Sequence, residues 1–147
     1  LLDTHAFLWF ASGDRRLSRR ARVVMEADDA ELYVSTASVW EVAIKVALGK
    51  LEADPEAVRM AITPTGFREL PVTGEHAARV VRLPSHHRDP FDRLLVAQSL
   101  VESLVLVTVD DQLVRYGDLV RVLWRHSLTL VLLVEPFQAF VAKALNH

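Results

Sequence analysis

Asp89-Pro90-Phe91-Asp92-Arg93-Leu94-Leu95-Val96-Ala97-Gln98-Ser99-Leu100-Val101-Glu102-Ser103-Leu104-Val105-Leu106-Val107-Thr108-Val109-Asp110 reads as one helix followed by one strand. Asp89 has the place of an N-cap, Pro90 suits the first helical position, and Asp92 falls in the first turn, where negative charge favours the helix dipole. The helix is expected to reach about Ser103. Leu104 to Val109 is a short apolar run rich in β-branched residues, the pattern of a buried strand, and it ends on Asp110.

The same alternation extends outward. Upstream, Gly74 to Val81 reads as a helix, Phe67 to Val72 as a strand, and Asp54-Pro55-Glu56 as a helix entrance. Ser35 to Leu48 is expected to be helical, with Gly49 as its stop, and Leu32-Tyr33-Val34 as the strand before it. Ser18 to Ala27 and Thr4 to Phe10 complete the helices, and Leu1-Leu2 reads as the tail of a buried strand ending at Asp3. Downstream, a short helix over Gln112 to Tyr116 leads to a last strand at Val120 to Leu123. Strands alternating with helices imply an α/β domain: a mainly parallel sheet with helices on its faces.

Four carboxylates then stand out. Asp3, Glu41, Asp92 and Asp110 each fall near the point where an apolar run gives way to a helix. Each has an ordinary explanation. Ser38-Val39-Trp40-Glu41 has capping-box spacing, Asp110 is able to cap the helix after it, and Asp3 that of the first helix. Capping accounts for each charge singly but not for their common edge. In an open parallel sheet the strand C-termini face one crevice, and carboxylates gathered there repel one another unless a cation joins them. Mg²⁺, or Mn²⁺, is the expected ion, because hard cations prefer oxygen ligands. The matching chemistry is metal-assisted hydrolysis of a phosphodiester. Thr108, two residues before Asp110 on the same strand face, is a supporting candidate for orienting water, and Asp89 is a secondary acidic candidate.

Composition narrows the alternatives. The chain has 147 residues, 51% of them apolar, and no cysteine, which excludes disulfides, zinc-thiolate sites and cysteine nucleophiles. Only five glycines are present and none form a phosphate loop. No His-x₃-His or His-x-His pair favours a zinc hydrolase; His86 and His87 stand just before Asp89, and His5 follows Thr4. A net charge of −2 argues against a passive nucleic-acid binder. Local basic charge at Arg15, Arg16, Arg19, Arg20 and Arg22 reads either as a solvated face or as a stripe for RNA phosphates or an acidic partner. No run is long enough for a membrane span and no signal peptide is visible, so a cytoplasmic home is expected. Trp9, Trp40 and Trp124 read as core or interface aromatics.

Leu1-Leu2-Asp3-Thr4-His5-Ala6 with Leu8-Trp9, Val34-Ser35 through Ser38-Val39-Trp40-Glu41, and Ala43-Ile44-Lys45 together resemble a PIN-domain ribonuclease. His87-Arg88-Asp89-Pro90-Phe91-Asp92-Arg93-Leu94-Leu95-Val96-Ala97-Gln98 and Leu106-Val107-Thr108-Val109-Asp110 are similar to its VapC toxin branch. The resemblance implies a three-layer α/β/α domain over residues 1–124, followed by an atypical extension at 125–147. It implies a Mg²⁺-dependent endoribonuclease, neutralised by a cognate antitoxin protein and acting as a homodimer on RNA. Its acidic, metal-holding site falls on Asp3, Glu41, Asp92 and Asp110. The chain opens on Leu rather than Met, so the first strand is expected to lack at least one residue. A different reading is a catalytically silent module that keeps the fold and binds antitoxin or RNA. A third, a phosphate-transfer enzyme or receiver-type switch, lacks support: position 5 is His, and the only adjacent acidic pair at a strand exit is Asp110-Asp111.

Overall fold

The protein is described by a computed structural model over residues 1–122. Strand β1 (Tyr33–Ser35) pairs in parallel with β2 (Arg68–Leu70), and β3 (Leu106–Thr108) pairs in parallel with β4 (Val120–Val122). Leu2 joins the two pairs through parallel bridges to Val34 on one side and Val107 on the other. The bonds are Leu2 N–H to Tyr33 O (2.9 Å), Asp3 N–H to Val107 O (2.8 Å) and Val107 N–H to Leu1 O (2.8 Å). The order across the sheet is therefore β2, β1, the Leu2 segment, β3, β4. The chain starts at the centre, steps outward to β2, then crosses back to β3. That reversal creates a switch-point crevice beside Leu2.

Side chains alternate between two cores, as period 2 requires. Leu2, Val34 and Val107 pack on one sheet face with Phe7, Leu17, Ala21, Met25, Ile62 and Phe67. Leu1 and Leu106 face the other side, where Leu95, Val96, Ala97, Leu113 and Val120 gather. Helices α1 (Thr4–Ala11), α2 (Arg19–Met25) and α4 (Pro55–Ala61) supply or flank the first core, and α6 (Pro90–Val101) the second. Helices α3 (Thr36–Ala47) and α5 (Gly74–Arg79) pack against α4 and α6. The expected α/β fold is present, with helices covering both faces of a parallel sheet.

Helix starts follow the local chemistry of the chain. Asp3, Ser18, Ser35, Asp54, Thr73 and Asp89 each accept a backbone N–H from the first turn of the helix that follows. Gly49 takes φ 66°, the left-handed conformation expected just past α3. Strands are shorter than the apolar runs that encode them. β3 spans three residues because Leu104 N–H is still bonded to Ser99 O, closing α6. The segments after Arg79 and Asp110 are 3₁₀ turns, Val80–Arg82 and Asp111–Tyr116.

The basic stretch divides. Arg22 donates to Trp9 O (3.0 Å), Phe10 O (3.3 Å) and Asp14 O (2.9 Å), closing the C-terminal end of α1. Arg16 forks onto Asp14, while Arg15, Arg19 and Arg20 are exposed. Among the described residues no helix is long and apolar enough to cross a membrane. The expectations for Leu123, Trp124 and residues 125–147 lie outside the described residues.

Candidate metal centre

Asp3 lies at the heart of the crevice because it directly follows Leu2, the central position of the sheet. It is 4% exposed and held on both oxygens. Ala6 N–H donates to Oδ1 (2.6 Å); Val109 N–H (2.8 Å) and the Thr108 hydroxyl donate to Oδ2. Burial pushes its pKa up, opposed by these three hydrogen bonds and by the exposed His5 nearby. The Thr108 hydroxyl also accepts from Asp110 N–H (3.0 Å). Thr108 is thereby a brace between two acids, donating to Asp3 and accepting from the backbone of Asp110.

Glu41 differs from expectation in its setting. It belongs to the second turn of α3, not to a strand-to-helix junction, because Ser35 caps that helix and not Ser38. Ser38 is inside the helix and buried, its hydroxyl without a partner among the described residues, so the capping-box reading fails. Glu41 is itself 4% exposed. The Thr4 hydroxyl donates to its Oε2, and Lys45, one turn on, pairs with its Oε1. A buried carboxylate so paired avoids the cost of an isolated charge.

Asp92 and Asp110 form the more open side, their side chains 25% and 35% exposed. Asp92 stands in the first turn of α6, aligned by the Asp89 cap, whose Oδ1 accepts from Phe91 N–H (2.8 Å) and Asp92 N–H (3.2 Å). Asp89 is thereby spent on the helix end. Asp110 Oδ1 accepts from Gln112 N–H (2.8 Å), while Oδ2 turns to His87 Nε2 (3.1 Å). Asp92 has its pKa pushed up to about 7, first by burial, then by the charge of Asp89; Asp3 and Glu41 add to the rise, and His87 opposes it.

Asp92 feels both inner carboxylates, which come from the sheet centre and from α3. Ligand atoms of His87, Asp92 and Asp110 lie within 4.8 Å of one another, a grouping able to hold a metal ion. Asp3, Glu41 and Asp89 are not members of this trio, though the charge of each acts on Asp92. His87, noted in the sequence beside His86 but set aside for want of a histidine pair, is brought into this grouping by the structure. Its only signal was its place two residues ahead of the α6 cap. The donor set fits a hard divalent cation: carboxylate oxygens dominate, and burial, with neighbouring negative charge, raises the pKa of Asp92 to about 7.

Two aromatics mark the rim next to the acids. Trp40, beside Glu41, is 58% exposed and not core; it meets Phe91, beside Asp92, edge-on at 5.0 Å between ring centroids. No curated protein matches the chain. A model of the PIN domain matches residues 1–119, from the central strand through the turn that carries Asp110. PIN domains are in general metal-dependent nucleases and typically bind a divalent metal. With a parallel sheet, an acidic crevice at its switch point and that match over most of its length, the chain belongs to the PIN-domain family.

Proposed function

We propose that this protein is a Mg²⁺-dependent endoribonuclease toxin of the VapC kind, held in check by a cognate antitoxin protein. The observation that carries the reading is the raised pKa of Asp92, caused after burial by charges from three other acids including Asp3 and Glu41. Carboxylates so disposed at a sheet switch point store repulsion that a divalent cation relieves. Asp92 and Asp110 are the residues that would hold Mg²⁺ or Mn²⁺, with Asp3 and Glu41 completing the acidic site behind them. When bound, such an ion lowers the pKa of water and offsets charge on the leaving oxygen of a phosphodiester.

The protein's own residues set the stage for that chemistry. Asp3 is fixed by three donors and so presents a carboxylate of defined orientation. Lys45 limits the charge that Glu41 adds to the cleft. Without metal, Asp92 keeps a proton up to about pH 7, which its crowded setting favours. Partner surfaces are supported by α3: Trp40, Ile44 and Leu48, four residues apart, expose one apolar stripe to solvent. A stripe of this kind suits a second copy of the chain or an antitoxin better than RNA.

The deciding experiment is cleavage of total cellular RNA by purified protein with Mg²⁺, with Mn²⁺, with EDTA, and with Asp92→Asn beside the wild type. Discrete fragments that need both metal and Asp92 are expected. Folded, antitoxin-free protein that cuts nothing under any of these conditions would favour a silent binding module or a very narrow substrate choice. Cutting that survives Asp92→Asn would move the site elsewhere.

A further inference from the structure

We propose that His87 is a positioning residue of the metal centre, a neutral ring whose Nε2–H holds the Asp110 carboxylate turned toward Asp92. The inference rests on the metal-site reading above and deepens it. Its starting point is the ring's two nitrogens. Asp89 N–H donates to Nδ1 at 3.2 Å, so Nδ1 carries the lone pair and the ring hydrogen belongs on Nε2. Nε2 in turn faces Asp110 Oδ2 at 3.1 Å, and with its hydrogen it is the donor. Asp92 Oδ2 approaches Nδ1 at 3.4 Å, too long for a second strong bond to a nitrogen already engaged. The same tautomer argues against direct ligation, since Nε2 offers the cleft a hydrogen and Nδ1 is tied to the helix start.

The loop carrying His87 is built to hold this ring. His87 N–H donates to the Tyr116 hydroxyl (3.1 Å), which donates on to Pro84 O (3.1 Å). Arg93, from the first turn of α6, reaches back to Pro84 O (2.9 Å) and Val80 O (3.0 Å). The His87 side chain is only 11% exposed. The ring therefore adds a link at the cleft between the α6 start, which carries Asp92, and the turn after β3, which carries Asp110, beside the bond from Arg93 Nη1 to the Tyr116 hydroxyl (3.3 Å). An outer partner that orients a carboxylate in this way tunes a metal site without touching the ion.

The test is Mn²⁺ binding to the full chain, read by calorimetry and by electron paramagnetic resonance, for wild type, His87→Gln and His87→Ala. Gln keeps an N–H near the Nε2 position; Ala removes it. The expected result is a Mn²⁺ affinity about 10–100-fold weaker in His87→Ala, the size of effect that outer partners have. His87→Gln should recover most of that loss, and the wild-type spectrum should show no nitrogen directly bound to Mn²⁺. Directly bound nitrogen that vanishes in His87→Gln would make His87 a ligand and overturn the positioning role. So would unchanged affinity in His87→Ala, or equal loss in Gln and Ala. If His87→Ala fails to fold, the Gln variant and the wild-type spectrum still decide. Wild-type protein that binds no Mn²⁺ would fail the metal-site reading itself, a result distinct from failure of His87 alone.

Discussion

The crevice has an inner side and an outer side, and they are built on opposite plans. Asp3 and Glu41, on the inner side, are buried and bonded on both oxygens by Thr108, Thr4, Lys45 and backbone amides. Asp92 and Asp110, on the outer side, are partly open and linked by one histidine. A carboxylate fixed by several donors has part of its burial cost offset and depends on every one of them. One left crowded and under-bonded costs stability and is ready for a cation. The inner acids thus belong to the fold as much as to the site; the outer acids belong mainly to the site.

This contrast is open to attack at several points, and the largest effect is expected on the outer side. Asp92→Asn should lower RNA cleavage by more than about a hundredfold, beyond what loss of an outer partner usually causes, while far-UV circular dichroism stays unchanged. On the inner side the balance reverses. Thr108→Val keeps the shape but leaves the buried Asp3 short of a donor and Asp110 N–H without an acceptor, so urea unfolding should show a loss of about 1–3 kcal/mol. If Thr108→Val proves as stable as wild type, the inner acids are not held as described.

A third test uses pH. The folded pKa of Asp92, about 7, lies above its ordinary value near 3.8, so between those limits the folded protein binds more protons than the unfolded chain. Stability of the metal-free protein should therefore fall as pH rises from about 4 to 7, and remain lower above that. Asp92→Asn reduces the slope, leaving the part that comes from the raised pKa of Asp3, and should be more stable than wild type at pH 8 by about 1–3 kcal/mol, after relaxation and partial exposure reduce the nominal shift. Thermal melts across pH, with EDTA present, check it; parallel curves for the two proteins would contradict the crowding. Adding Mg²⁺ or Mn²⁺ at about 100 times Kd should restore roughly 2.7 kcal/mol to the wild type at pH 8. The smallest effect belongs to Asp89→Ala, where loss of the α6 cap should cost about 1 kcal/mol and shift the melting temperature accordingly.

What was legible in the chain follows the range of the interactions concerned. Asp89 as a cap, Pro90 at N1 and Ser18, Asp54 and Gly49 at helix ends are matters of adjacent residues, and each is where its neighbours put it. The parallel α/β arrangement was readable because Leu1-Leu2 and Leu104 to Val109 are apolar on both faces. Glu41 was placed too near a helix start because Ser38-x-x-Glu41 imitates a capping box while Ser35 does the capping. Thr108 was read from strand geometry alone, which cannot see Asp3 arriving from 105 positions away. His87 was noted but set aside, because its partner Asp110 is 23 positions distant. Histidine pairs at fixed spacing are the only histidine sites that local sequence announces.

The central place of Leu2 has a consequence for the order of folding. Asp3 meets Thr108 across a separation of 105 positions. Contacts of that span are slow to form relative to local ones. The acidic crevice is therefore complete only once the β3 segment has docked beside Leu2, and a chain folded only locally holds Asp3 apart from Asp110.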